Sequence, residues 1–293
     1  MDEYAWSYPA PGLRPWIGRY TGYRQRGVAP ARHRGLPSPY LTLIFTLDDP
    51  LVMAAHPDPR QAPGRYRALA GGLHLAPALI THDGRQSGVQ VAVHPLGCRA
   101  IFGVPAAELA NLDVDAGALL GDRFVGETRD RLRCAPDWPA RFAVLDAVLG
   151  GLLREDTGPS WAAHAVRRLF GTGPVSVAGL ASEVGWSPRH LTDRFRAEVG
   201  IRPKEAARVA RFDRARRAMR PGVRLADVAA AHGYADQSHL VRDFRVFAGC
   251  APSRWLADEF GNSGLRQAPV ELGGDFGFVQ AHAGPGDDDG RYD

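Results

Sequence analysis

The chain has 293 residues, 45% of them hydrophobic, with 36 Lys plus Arg against 32 Asp plus Glu and a formal net charge of +4. This length is enough for two compact domains with buried cores. No apolar run approaches the roughly 20 residues of a membrane span, and the start Met1-Asp-Glu-Tyr-Ala-Trp6 has no signal-peptide character, so cytoplasmic residence is expected.

About the first hundred residues read as strands. Tyr40–Leu47 is rich in β-branched and apolar residues, and Val89–His94 alternates at period two. Turn clusters at Asp48-Asp-Pro50, Pro57-Asp-Pro59 and Asp83-Gly84 separate such segments. Many short strands punctuated in this way predict a small barrel or sandwich. Helical spacing follows, clearest over Pro139–Leu149, as a helix that either mediates dimerisation or packs on the β-rich part. Cys98, Cys134 and Cys250 have no CxxC spacing and are expected to be buried free thiols. Gly158-Pro159, before a helix expected to be capped at Ser160, marks a boundary.

Beyond that boundary the chain repeats itself. Gly185-Trp-Ser-Pro-Arg-His-Leu-Thr-Asp-Arg-Phe195 recurs, with one residue inserted, as Gly233-Tyr-Ala-Asp-Gln-Ser-His-Leu-Val-Arg-Asp-Phe244. Phe195 and Phe244, Gly200 and Gly249, and Pro203 and Pro252 share one offset, the period of a complete supersecondary unit. Each copy predicts a short apolar helix, at 180–184 or 228–232, then a tight turn and a second helix capped by Ser187 or Asp236. That is a helix-turn-helix, the arrangement that lays a helix in a DNA major groove. Pro203–Met219, free of Gly and internal Pro, predicts one long connecting helix.

The second helix of each copy divides into two faces. Leu191 with Phe195, and Leu240 with Phe244, form the buried stripes. Arg189, Thr192, Asp193 and Arg196 point outward in the first, and Ser238, Val241, Arg242 and Arg245 in the second. Arg189 and Arg242 suit bidentate bonds to guanine, Thr192 and Val241 a thymine methyl, and Asp193 cytosine N4. Arg196 and Arg245 suit phosphate. Asp193 would be repelled by phosphate, so it either reads cytosine or orients Arg189 or Arg196. His190 and His239 either touch DNA or pack near the helix start. Gln237 completes the candidate set.

Gly233 through Leu240, Phe244-Arg245 and Gly249-Cys-Ala-Pro252, together with Arg211-Phe-Asp-Arg-Ala-Arg216, resemble the AraC/XylS transcription regulators over roughly residues 160–260. The resemblance implies an α+β chain. Residues 1–157 would form a β-rich, cupin-like sensing or dimerisation domain with helices at its end. Residues 158–260 would be an all-α domain of two helix-turn-helix subdomains joined by a long helix. After Phe260 the chain turns to Gly, Pro and acidic residues, so 261–293 is expected to be a flexible acidic tail. The implied partners are double-stranded promoter DNA, a small-molecule effector or a second copy of the chain, and RNA polymerase if the protein activates; no cofactor and no membrane are implied.

Charge follows the motif. Residues 162–260 hold 17 Lys plus Arg against 10 Asp plus Glu, whereas 261–293 hold 2 against 6. Two alternatives stay open: an N-terminal domain that is only a protein-interaction module, and a metal-dependent cupin-type enzyme fused to a DNA-binding domain. Against the enzyme, His33, His56, His74, His82 and His94 are dispersed, with no His-x-His pair. A DNA-repair reading, in which a regulator senses methyl damage through a four-cysteine zinc site, fails because the chain has three cysteines. Asp275-Phe-Gly277 imitates a kinase motif without its partners.

Overall fold

A computed structural model describes residues 2–155, 158–173 and 175–261. The N-terminal part begins with β1 (Asp2–Ser7), β2 (Ile17–Arg26), β3 (Ala31–Gly35), β4 (Leu41–Thr46) and β5 (Leu51–Ala55). Next come β6 (Gly64–Tyr66), β7 (Ala68–Gly71), β8 (Ala78–His82), β9 (Arg85–Val93) and β10 (Asp113–Asp115). They form a six-stranded sheet, in the order β1-β2-β9-β4-β7-β10, and a four-stranded sheet, in the order β3-β8-β5-β6.

The segment 40–47 predicted as a strand is β4, and its register explains its composition. Leu41, Leu43 and Phe45 pair with Val93, Val91 and Val89 of β9, and all six are fully buried. The intervening Ile44 turns to the other face and packs with Leu69, Met53 and Ile80, joining the two sheets. Both faces of β4 are thus covered, so its apolar run is nearly continuous rather than alternating.

Helices cover the outer face of the larger sheet. They are α1 (Gly97–Phe102), α2 (Gly117–Leu120), α3 (Asp122–Cys134) and α4 (Trp138–Gly150). The helix predicted at 139–149 is α4, capped by Asp137, whose side chain accepts from the Ala140 amide at 2.8 Å. It is fastened to the sheet: Asp146 Oδ1 accepts from the Tyr20 hydroxyl and the Ala10 amide, both at 2.9 Å. Phe142, Leu145 and Leu149 join the sheet's apolar core.

The remaining helices are α5 (Ser160–Phe170), α6 (Val177–Glu183), α7 (Pro188–Val199), α8 (Pro203–Ala218), α9 (Leu225–Ala231), α10 (Gln237–Ala248) and α11 (Pro252–Gly261). Two expectations need correction here. Ser160 is the first helical residue and does not cap; Pro159 holds the cap position, without a side-chain hydrogen bond. Of the three cysteines only Cys98 is buried, on α1; Cys134 ends the solvent-facing side of α3 and is exposed, and Cys250, just after a helix, is half-buried. Burial pushes the Cys98 thiol up to about 12.

Packing treats the two helix-turn-helix units differently. Leu191, Phe195, Val199 and Ile201 of the first belong to one apolar core with Phe45, Val91 and the helices over the sheet. Arg99 of α1 donates to both carboxylate oxygens of Glu198 on α7, at 2.6 and 2.9 Å. The second unit has its own core of Val209, Phe212, Val228, Leu240, Phe244, Phe247 and Trp255, touched by Leu36 and Leu75 from the N-terminal part. Arg34 of β3 pairs with Asp258 of α11 at 2.8 Å.

Gly200 ends α7 at φ +92, and a Cβ there would lie 2.6 Å from the Ala110 Cβ and 3.0 Å from the Ala107 Cα. A left-handed backbone and a close approach therefore coincide where the first unit meets the N-terminal part. Gly200→Ala is expected to cost about 2 kcal/mol, the left-handed penalty plus displacement of α7. Chemical denaturation checks this; a loss within 0.5 kcal/mol, about the scatter of surface substitutions, would refute the close approach.

Candidate nucleic-acid interface

Each unit is built from a local signal. Ser187 Oγ accepts from the His190 amide at 3.2 Å and Pro188 occupies the first helical position of α7. Asp236 Oδ1 accepts from the His239 amide at 2.6 Å at the start of α10. Both helices therefore start where their caps dictate. The preceding turns use Gly185 and Gly233, at φ +72 and +73, which let the Trp186 and Tyr234 amides reach back to the Ala181 and Ala229 carbonyls. The inserted residue of the second copy lies between this glycine and the cap, leaving both helices at 12 residues.

The buried stripes are where the pattern puts them: Leu191, Phe195, Leu240 and Phe244 are fully buried. Arg189, His190, Asp193 and Arg196 are exposed on α7, as are Gln237, Ser238, Arg242 and Arg245 on α10; Thr192, Val241 and His239 are half-buried. The Thr192 hydroxyl donates to the Pro188 carbonyl at 2.8 Å. Asp193 has no ion pair with Arg189 or Arg196 among the described residues.

Both histidines sit edge-on to the turn aromatic of their own unit. His190 meets Trp186 at 4.6 Å and His239 meets Tyr234 at 5.1 Å between ring centroids. His239 Nε2 also lies 3.3 Å from Arg211.

Sequence reasoning missed two side chains. At the shared offset, Asp193-Arg194 of α7 corresponds to Arg242-Asp243 of α10, with the charges reversed. Arg194 is exposed, adding a cation to the α7 surface, whereas Asp243 is buried and accepts from Arg208 at 2.8 Å and Arg211 at 3.0 Å. The order reversal in the sequence was the available signal.

The arginines of α8 are engaged within the protein. Arg208 and Arg211 hold Asp243, Arg214 donates to the Phe170 and Gly171 carbonyls, and Arg216 and Arg217 hold Asp213, both at 2.7 Å. By contrast, Arg189, Arg194, Arg196, Arg242 and Arg245 have no carboxylate partner among the described residues. Among the described residues, then, the arginines within α7 and α10 lack carboxylate partners while those within α8 are engaged.

Burial pushes the Asp213 carboxyl up, but the charges of Arg217 and Arg216 and their hydrogen bonds outweigh it and bring it down to about 2. A carboxyl depressed in the folded state stabilises above its unfolded value near 4, and that contribution disappears as pH falls from about 4 to about 2. Thermal melting should therefore lose stability across that window, and Asp213→Asn should flatten this part of the profile; an unchanged acid limb would contradict the assignment.

Residues 180–258 match the family described as a helix-turn-helix domain, and residues 7–115 match a domain family of unknown function, DUF6597. The HTH-type transcriptional regulator VirS of Mycobacterium tuberculosis is 36% identical over 92 residues, 31% of this chain and 27% of VirS. The uncharacterized HTH-type transcriptional regulator YbfI of Bacillus subtilis is 35% identical over 66 residues, 22% of this chain and 24% of YbfI. The chain therefore carries a helix-turn-helix domain over residues 180–258. Its matched region spans about a quarter of the length of these curated relatives. ToxT from Vibrio cholerae is a structural neighbour with a TM-score of 0.48 and 10% identity, over 82% of this chain and 97% of ToxT. Outside the helix-turn-helix domain, His56 Nδ1 lies 2.8 Å from Asp113, His74 Nδ1 lies 2.6 Å from the Ala76 carbonyl, and the rings of His33 and His82 lie tilted at 6.3 Å. His94 packs on Tyr40 at 5.0 Å. Among the described residues no three or more His, Cys, Asp or Glu group as metal ligands, and no helix is long and apolar enough to cross a membrane. The segment 261–293, with Asp275-Phe-Gly277, lies outside the described residues apart from Gly261.

Proposed function

We propose that the protein is a sequence-specific DNA-binding transcription regulator whose AraC-type domain reads promoter DNA through α7 and α10. The concentration of unpaired guanidiniums on the outward faces of these two helices carries the reading. The arginines of α8, which could equally have faced DNA, are instead tied to carboxylates and carbonyls. Phosphate neutralisation needs free cations, and base reading needs them on a helix that fits a major groove.

Arg189 and Arg242 read guanine, Thr192 and Val241 present apolar groups to thymine, and Arg196 and Arg245 clamp phosphate. Asp193, unpaired with its neighbours, accepts from cytosine. Ser238 and Gln237 border the same face, and His190 and His239 stiffen the helix starts. The N-terminal domain adjusts DNA binding through a small-molecule effector or a second copy, since it contacts the ends of both units through Glu198, Gly200 and Asp258.

Titrations on a specific and a scrambled duplex test the assignment. Arg189→Ala and Arg242→Ala should each cost about 1–3 kcal/mol on the specific site and less on the scrambled one. Arg196→Ala and Arg245→Ala should weaken both duplexes and reduce the salt slope by about one. Equal losses on both duplexes from the first pair would remove Arg189 and Arg242 as base readers.

A further inference from the structure

Among the described residues, five arginines on two helices stand exposed without a carboxylate, in a domain whose other arginines mostly find one. The same chain carries a matching opposite charge. Residues 262–293 hold Glu271, Asp275, Asp287, Asp288, Asp289 and Asp293 against Arg266 and Arg291, a net −4. We propose that this acidic segment occupies the arginine faces of α10 and α7 when no duplex is bound, and so competes with DNA. The proposal rests on the DNA-binding reading above.

Connectivity makes the encounter intramolecular. The segment follows α11, which packs on α10 through Trp255 and Phe244, their rings 5.5 Å apart. About 26 residues separate Gly261 from Asp287. A chain of that length reaches up to roughly 90 Å when extended, enough to return to α10 in the same unit. Tethering on this scale gives an effective concentration in the millimolar range, so even weak charge pairing competes with a dilute duplex.

The arginine face of α10 is not purely ionic. Val246 is 54% exposed, next to Arg245 and one turn from Arg242. A segment that places Phe276, Phe278 and Val279 beside Asp275 offers apolar and anionic groups together, the complement of the apolar and cationic groups on that face. A polyanion without apolar groups would leave Val246 in water.

The experiment compares the full chain with a full-length variant carrying Glu271→Gln, Asp275→Asn, Asp287→Asn, Asp288→Asn and Asp289→Asn, on a scrambled duplex. At about 50 mM salt the variant should bind about tenfold more tightly, and the two chains should converge as salt rises, because both contacts are screened together. A synthetic peptide of residues 262–293, added to the variant, should restore the weaker binding. Equal affinities of the two chains at every salt concentration, with no effect of the peptide, would overturn the proposal and leave the DNA-binding reading standing. Failure of both chains to bind any duplex at low salt would overturn that reading and this proposal with it. An affinity gap that grows with protein concentration would place the segment on a neighbouring copy and overturn the intramolecular assignment.

Discussion

Phe244→Ala is expected to destabilise the second helix-turn-helix unit by about 3–5 kcal/mol, the range for removing a fully buried aromatic ring from a close-packed core. Phe244 is fully buried, with the rings of Phe212 at 5.2 Å and Trp255 at 5.5 Å. Its core is small and nearly separate from that of the first unit, so there is little neighbouring structure to collapse into the cavity. α10 should lose its fixed position while the N-terminal sheets and α7 stay folded. Denaturant unfolding followed by tryptophan fluorescence should show an early transition reporting Trp255. Phe195→Ala should instead lower the main transition, because Phe195 shares its core with the sheet. A single unshifted transition for Phe244→Ala would mean that the second unit does not depend on this ring.

Asp243→Ala should cost about 2–3 kcal/mol. Asp243 is 4% exposed and is the common acceptor for Arg208 and Arg211, so its removal leaves two guanidiniums of α8 without their carboxylate. Breaking a fully buried pair costs about 3–5 kcal/mol. The lower figure applies because Arg208 is 42% exposed and can turn to water. Arg211 stays stacked over Tyr234 at 4.5 Å, which retains part of its stabilisation. Arg194→Ala, at the matching position of the first unit, should stay within about 0.5 kcal/mol because that side chain is exposed and unpaired. Urea unfolding of both variants measures the contrast, and equal losses would show that the matched positions are not used differently.

That contrast shows how far the sequence reaches. The helix starts of α7 and α10, the turn glycines and the buried Leu and Phe stripes were legible because each is set by residues within one or two turns: a capping oxygen, a proline that needs no N–H, a backbone at positive φ, and a 3.6-residue period. The strands at 40–47 and 89–94 were legible from apolar patterning. β9 begins earlier than the pattern suggests, at Arg85, because β2 is ten residues long and its Arg26 pairs with Arg85. Composition along a strand records which faces are covered; it does not record how far the partner strand extends.

The burial of Cys98 but not Cys134, the cap at Pro159 rather than Ser160, and the inward commitment of His239 all depend on neighbours remote in the chain or on one backbone angle. By itself the sequence determined two repeated helix-turn-helix units, their caps, their inner and outer faces and a β-rich part before them, since local hydrogen bonding and hydrophobic periodicity are written in adjacent residues. Only the tertiary structure decided that the first unit shares its core with the sheet while the second keeps its own. The same holds for the α8 arginines tied to Asp213 and Asp243 and the five left unpaired on α7 and α10: an ion pair or a shared core is set by distance in space between groups that the sequence separates by tens of residues.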